Sequence, residues 1–505
     1  MRTFSQLPGM KSDVVLTATS VLIYLILTAY FLTNDFWQDE IYTIDHFVFQ
    51  SWKTVFTDYH STNNHIAFNG IVKFLITILD ISQVKTVMTN PWIIRLVPYC
   101  FSLLSLVVLY RAARNYYGLD VALAATSVLA TSIVFVGFGV QLRGYSFTIL
   151  LSTIQYFSFL QLLNGVKTNR SAIVLFSATI LNLICLPTNI YLVASYLLFC
   201  AIILFVPKLN QNVFDIKSLR KNIVLAGIIL VSCAFVALIY YQWLLSLQPP
   251  NPLLVSVDHF DIENIVQSLS IFYHFTGYRV YFYIILFVWA VVYQSRLKKN
   301  TSSKVSLPAL LFFCSFIVFF IHGAVVIQRT FLSFLPFFAL IIATSFVELN
   351  KAWKLPGMRK IFFIGNIICV LISFFVLVKN SEKNNEDSTP QTDLVDHYYL
   401  INFNAREATI VARNIIRTNQ LSLYVWDDFG KTGIEYYLKH FGVPFQWYQH
   451  HNDLRNKTLV LTNNKKEFEQ EVLKMKIPFK RILNYDQQYC LYLLNGTDNN
   501  RRTTN

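Results

Sequence analysis

Between residues 13 and 378 the sequence returns repeatedly to runs of about 20 apolar residues with almost no charge. Examples are "VVLTATSVLIYLILTAYF" at 14 to 31 and "IVLAGIILVSCAFVALIYYQWLL" at 223 to 245. A helix of that length spans a hydrocarbon core about 30 Å thick. A chain built from such runs folds in lipid, where every backbone N–H and C=O must find its partner inside a helix. The composition agrees: 54% of the 505 residues are hydrophobic, only 14% are charged, and the mean hydropathy is positive. An ordinary soluble domain is excluded.

The runs read as about eleven spans, at 13–33, 95–113, 120–139, 145–163, 171–187, 189–207, 223–246, 280–295, 306–326, 330–348 and 361–378. Leu186-Pro187 marks either a tight turn or a kink, and reading it as a kink would lower the count. The formal net charge of +14 raises the question of nucleic acid, and the placement of the charge answers it. Alternate connections carry Arg2 and Lys11; Arg111 and Arg114; Lys167 and Arg170; Lys208, Lys217, Arg220 and Lys221; Arg296, Lys298, Lys299 and Lys304; Lys351, Lys354, Arg359 and Lys360. The acids beside them are Asp13, Asp120, Asp215 and Glu348. Those connections are cytoplasmic by the positive-inside rule, with the first run an uncleaved span. No nucleic-acid partner is expected.

Six of the seven cysteines fall within apolar runs and Cys490 stands alone in the polar C-terminal region, so neither a disulfide framework nor zinc spacing is present. Residues 1–378 are therefore expected to form the membrane domain, with a long external loop at 34–94. A polar linker follows at 379–398, and then a small soluble domain at 399–505 on the external face. Within that domain "AREATIVARNIIRTN", "KTGIEYYLKHF" and "KKEFEQEVLKM" read as helices, while "LSLYVW", "KTLVLT" and "QYCLYLL" read as strands. The alternation predicts an α/β fold. "WDDFGK", at 426–431, lacks the glycine pattern of a phosphate loop and reads as a strand-to-helix turn.

The first loop opens with "NDFWQDEIYTIDHF", which sets Asp39 and Glu40 side by side just beyond span one. Neighbouring residues on a helix point about 100° apart, so one carboxylate is expected to be catalytic and the other supporting. The loop closes with "DYHSTNNHIAFN", carrying His60, Asn64 and His65. His60 and His65 lack the spacing of a metal pair, and His65 is open to three readings: phosphate donor, metal ligand or buried hydrogen-bonded histidine. Outside the C-terminal domain the external arginines are Arg95, Arg143, Arg279 and Arg329, each near the end of an apolar run. A guanidinium there is costly unless it snorkels or meets an anion, and its planar fork suits phosphate. A carboxylate opposed by arginines at a membrane surface is the layout for a reaction on a lipid phosphate.

These residues also resemble a family. "FWQDEIYTIDHF", "NNHIAFNGI", "IIRLVPYCFSLLSLVVLYRAARNYYG", "QLRGYSFTILL" and "IQRTFLSFLPFFALII" are similar to segments of the polyprenyl-phosphate-sugar-dependent glycosyltransferases of the GT-C fold. The closest resemblance is to the group that contains the protein O-mannosyltransferases, family 39, and the aminoarabinose transferases of lipid A. The likeness is best over residues 10–165 and returns near 322–347. It implies that Asp39 is the base, with Glu40 beside it, and that Arg329 binds the donor phosphate. The family's first loop often ends in a proline turn where His65 is here followed by Ile66-Ala67, and its late arginine commonly precedes Tyr where Thr330 stands here.

The expectation is a polytopic α-helical membrane protein, GT-C-like, with about 11 transmembrane helices and a small C-terminal α/β extramembrane domain. It would be an inverting glycosyltransferase moving a sugar from a polyprenyl-phosphate donor to a glycan, lipid or protein acceptor. The expected catalytic residues are Asp39 and Glu40. Arg329, Arg143 and His65 are expected at the donor phosphate, and Trp37, Tyr42 and Asn64 at the sugar or acceptor. No metal ligand set is identified; the external carboxylates are compatible with a divalent cation without requiring one. The site would face the periplasm from a bacterial inner membrane, or the lumen of the endoplasmic reticulum in a eukaryote. The rival readings are an oligosaccharide polymerase or ligase, and a transporter or flippase for a lipid-linked glycan.

Overall fold

The computed structural model describes residues 10–205 except 62–63, then 216–247, Val288, part of 308–318, 328–383 except 354–356, and, beyond that, 405–494 except 420, 427–432, 449–457, 463–464 and 484–488. Among the described residues eight helices are long and apolar enough to cross a membrane, and the chain is an integral, multi-pass membrane protein. The spans expected at 280–295 and 306–326 lie largely outside the described residues, as does "WDDFGK" after Trp426.

The helices are α1 (Met10–Leu32), α2 (Gln38–Thr43), α3 (Trp52–Thr57), α4 (Ile66–Ile78), α5 (Val84–Thr89), α6 (Trp92–Tyr117), α7 (Leu119–Ala130), α8 (Ile133–Phe138), α9 (Tyr145–Leu163), α10 (Thr168–Cys185), α11 (Ile190–Phe205), α12 (Ile216–Ser246), α13 (Leu335–Trp353) and α14 (Met358–Lys383). The C-terminal region adds α15 (Ala405–Asn419), α16 (Gly433–His440) and α17 (Lys465–Lys474). The contacts divide the chain into two compact units.

The first unit holds residues 1–29, 50–72 and 96–374. Helices α9 and α13 are buried almost throughout, whereas α12 exposes Ile228 and Phe235 and α14 exposes Ile361 and Ile372. Apolar side chains on that scale are stable only against lipid. Packing between helices uses hydroxyl pairs, which are well suited to a medium with no water: Tyr24 Oη donates to Ser102 Oγ at 2.5 Å, and Ser20 Oγ meets Ser127 Oγ at 2.8 Å. Arg359, on α14, reaches Asp13 of α1 at 2.9 Å and Asp120 of α7 at 2.7 Å, joining residues of three connections assigned to one face.

The third expected span is not one helix. α7 stops at Ala130, and α8 restarts at Ile133. Thr131 Oγ1 bonds back to the Ser127 carbonyl at 2.7 Å, while Ser132 takes an extended conformation. Two adjacent hydroxyl residues compete with the helical ladder, and apolar composition alone does not reveal that break.

The second unit joins residues 30–49 and 73–95 of the first loop to residues 375–505. Its five strands are β1 (Ser422–Trp426), β2 (Gln446–Trp447), β3 (Thr458–Thr462), β4 (Phe479–Leu483) and β5 (Cys490–Leu494), in the order β2-β1-β3-β5-β4. β1 runs parallel to β2 and β3, while β5 is antiparallel to β3 and β4. Val460, Phe468, Val472, Cys490, Tyr492 and Leu494 form its buried core. The helices and strands expected in this region are present; β2 and β4 are additional.

Candidate active site

Most of the residues singled out above fall in two clusters, with Arg329 and Asn64 in neither. The first lies in the second unit, where α1 gives way to α2. Glu40, at the third position of α2, accepts the backbone N–H of Trp37 through Oε2 at 2.9 Å, which satisfies one of the orphan donors of a helix start. Arg95 meets the same carboxylate in a fork, Nε to Oε1 at 3.1 Å and Nη2 to Oε2 at 2.6 Å. Its remaining N–H groups go to backbone carbonyls: Nη1 to Phe31 at 3.0 Å and Asn34 at 2.5 Å, Nη2 to Asp35 at 3.0 Å. A guanidinium has five N–H donors, and all five are used. Glu40 and Arg95 are 2% and 4% exposed, so the pair is dry and held inside the protein.

Asp39 precedes Glu40 in the first turn of α2 and is half-buried. Its carbonyl accepts the Thr43 hydroxyl at 2.8 Å. Trp37 is the residue before the helix. Tyr42 stacks on His46 with ring centroids 4.1 Å apart, so a neighbouring ring already lies against one face of its own.

The C-terminal domain contributes to this cluster. Asp35 Oδ2 accepts the backbone N–H of Arg406, at the start of α15, at 2.9 Å, and Arg406 Nε stands 3.4 Å from Oδ1. Burial pushes the Asp35 carboxyl upward, against the downward pull of the Arg406 N–H and the Arg406 and Arg95 charges. The N–H of Phe36 donates to Tyr437 Oη at 2.9 Å. Beyond α2, His46 Nε2 lies 3.1 Å from Tyr436 Oη, and Asp45 pairs with His440 at 3.2 Å. The His440 hydrogen bond holds the Asp45 carboxyl below its ordinary value despite partial burial.

The second cluster lies in the first unit. Arg143 and His65 are 78 residues apart in sequence, and both are buried. The backbone N–H of Gly144 donates to His65 Nδ1 at 3.2 Å, while Arg143 Nη2 lies 3.2 Å from Nε2. A neutral imidazole has one acceptor nitrogen. Each ring nitrogen of His65 faces a donor, and the tautomer decides which of the two accepts. A guanidinium and an imidazole stand side by side here, two groups of the kind that can donate to an oxyanion. Tyr145 backs both, its ring edge-on to His65 and under Arg143 at 5.4 Å. A Cβ at position 144 would lie 2.7 Å from His65 Nδ1 and collide with Cys185 Sγ, so only glycine allows this approach.

Asn64 serves the loop itself: Nδ2 donates to the carbonyls of Val55 at 3.0 Å and Asp58 at 2.6 Å, and Oδ1 accepts from Asn69 at 2.9 Å. Arg329 lies in the 3-10 turn Gln328–Phe334 that leads into α13. Among the described residues no group of three or more His, Cys, Asp or Glu is placed to hold a metal ion. Sequence reading missed Arg406, Tyr436, Tyr437 and His440; the partners of Arg406 and Tyr437 lie 371 and 401 residues away, beyond any local pattern.

No protein-family model matches the chain, and no curated sequence matches it. Solved structures do. ArnT from Cupriavidus metallidurans in the apo state aligns with a TM-score of 0.50 at 10% identity, over 96% of this chain and 98% of that one. The same protein bound to undecaprenyl phosphate gives 0.52 at 9% identity over the same shares. At such identity the likeness is one of fold, and that fold, for this chain, is GT-C.

Proposed function

We propose that this protein is an inverting glycosyltransferase that takes its sugar from a polyprenyl-phosphate donor. The acceptor oxygen, on a glycan, lipid or protein, attacks the anomeric carbon as its proton passes to the Asp39 carboxylate. The bond from that carbon to the phosphate oxygen breaks, and polyprenyl phosphate leaves with the electron pair. Arg143, with His65 and Arg329, is assigned to the phosphate, where positive charge and N–H donors stabilise the developing oxyanion. Glu40 is a positioning residue, acting through Arg95. The assigned location is a bacterial inner membrane with the site on the periplasmic face, or the luminal face in a eukaryote.

The observation that carries this reading is the closed Glu40–Arg95 clasp. It commits the Glu40 carboxylate to Arg95 and fixes the first turn of α2, which supports the division of roles, one carboxylate structural and one catalytic, under which the family resemblance makes Asp39 the base. The GT-C fold, and a solved GT-C neighbour that binds undecaprenyl phosphate, support a lipid-phosphate donor.

The test is release of free polyprenyl phosphate from a panel of polyprenyl-phosphate sugars by the purified protein, with membrane glycan extract as acceptor. Wild type should release it, and Asp39→Asn should lower the rate by about 10²–10⁴-fold. Equal rates would remove Asp39 as base. Absence of release with every donor in the panel would overturn the transferase reading.

A further inference from the structure

The helical stretch that carries Asp39 is short, the six residues of α2 running directly into the π turn Ile44–Val48, and an isolated helix of that length does not persist in water. Its rigidity must come from what flanks it. Inside the loop, Arg95 supplies the clasp already described. Further contacts come from the C-terminal domain, and they fall on both sides of α2.

On the entry side, Asp35 and Phe36 are held consecutively. The Asp35 carboxylate caps the start of α15 through the Arg406 N–H, a favourable place for negative charge. The next backbone N–H, of Phe36, is spent on Tyr437 Oη, with both residues buried. On the exit side, Asp45 and His46 follow α2 in a π turn and meet His440 and Tyr436. Tyr436 and His440 are four residues apart and share one face of α16, with Tyr437 beside them. A single helix therefore grips the chain before and after the six residues that bear the carboxylate.

We infer that α16, with the start of α15, is a splint that sets the orientation of the Asp39 helix, making Tyr437, Tyr436, His440 and Arg406 positioning residues for the transfer reaction. The kinetic consequence rests on the function proposed above; the structural consequence does not. A carboxylate displaced by about 1 Å costs on the order of 100-fold in rate. Asp35 and Phe36 are close enough in sequence to Asp39 to transmit such a shift.

The experiment uses the full-length protein in lipid nanodiscs. Tyr437→Phe keeps the ring and removes only the oxygen that accepts from Phe36; Asp35→Asn removes the charge that caps α15. Hydrogen exchange is followed across residues 34–49, with β3 and β5 as internal markers that the C-terminal domain is folded. The expected result is exchange in 34–49 about tenfold faster, with β3 and β5 unchanged. In the transfer assay kcat should fall about 10- to 100-fold at constant KM for the donor, and the pH profile should keep its shape. Tyr436→Phe, a half-buried position, replaces Tyr437→Phe if that variant disturbs the sheet.

Unchanged exchange in 34–49 would overturn the splint, as would faster exchange at full kcat. Faster exchange in a protein whose wild type transfers no sugar would keep the splint and sink the proposed reaction.

Discussion

Arg95 and Arg143 are both arginines buried at the ends of apolar segments, and the chain uses them in different ways. Arg95 is enclosed by its own loop: one carboxylate and three carbonyls take all five of its donors. Arg143 is set against an imidazole and an aromatic ring, beside a glycine that could be nothing else without collision. The first arrangement holds a backbone in place; the second sets a guanidinium against an imidazole, the pair proposed above to meet the donor phosphate. Position near a membrane edge does not distinguish the two roles, but the identity of the partners does.

The largest effect expected is on stability at the first of these sites. Arg95→Ala leaves Glu40 charged, buried and deprived of its partner, a change that costs about 3–5 kcal/mol. The thermal unfolding midpoint of the purified protein should collapse. The double variant Glu40→Leu with Arg95→Met, which leaves no buried charge, should be the milder of the two. If Arg95→Ala unfolds like wild type, the contrast between the arginines fails at its root.

Arg143 should respond in the opposite sense. Arg143→Lys keeps the charge and loses the planar fork, so kcat/KM should fall by about 10²-fold while the unfolding midpoint moves far less than in Arg95→Ala. A loss of stability matching that of Arg95→Ala would make Arg143 a second clasp and withdraw it from the phosphate.

Much of this was legible in the sequence for physical reasons. Span-length apolar runs admit few folds in lipid, and the C-terminal alternation of periods located α15, α16, α17, β1, β3 and β5. β4 was missed because Lys480 and Arg481 interrupt its apolar pattern at the sheet edge, where charged side chains guard against further pairing. β2 has only two residues. The break at Thr131-Ser132 lies in hydroxyl chemistry that hydropathy does not weigh. The Asp-Glu pair announced itself by placement, and the arginines by cost. Which carboxylate was consumed could not be read from adjacent letters, because the answer lies 55 residues away in Arg95.

Gly144 offers a smaller, more local probe of the same comparison. Gly144→Ala forces a methyl onto His65 and Cys185, an overpacking expected to cost about 1–3 kcal/mol. Because the displaced group is His65, kcat/KM should fall with the unfolding midpoint, and a methyl accepted without loss of either would show that the contact between Gly144 and His65 does not matter.

The smallest effect is one of pH, and it should appear in the Asp39 region alone. The Asp45 carboxyl is held low chiefly by the hydrogen bond with His440, against burial, with Lys439 and His46 adding their charges. A carboxyl lowered in the folded state lends stability that is fully present above its unfolded pKa, about 3.9, and is lost as pH falls through the folded value. Asp35 acts in the other direction, since a raised carboxyl favours the folded state once protonated and loses that benefit as pH rises. The informative quantity is therefore the difference between wild type and Asp45→Asn, in which Asp35 cancels. With both partners 17% exposed, the pair contributes about 1 kcal/mol or less. Protection of residues 34–49 from hydrogen exchange should exceed that of Asp45→Asn by up to about fivefold at pH 5, and the gap should close toward pH 3. Residues 141–150, around Arg143, should show no such gap at either pH. If they do, the two regions are energetically coupled, and the division between a held backbone and a gathered set of donors would have to be redrawn as one cooperative site.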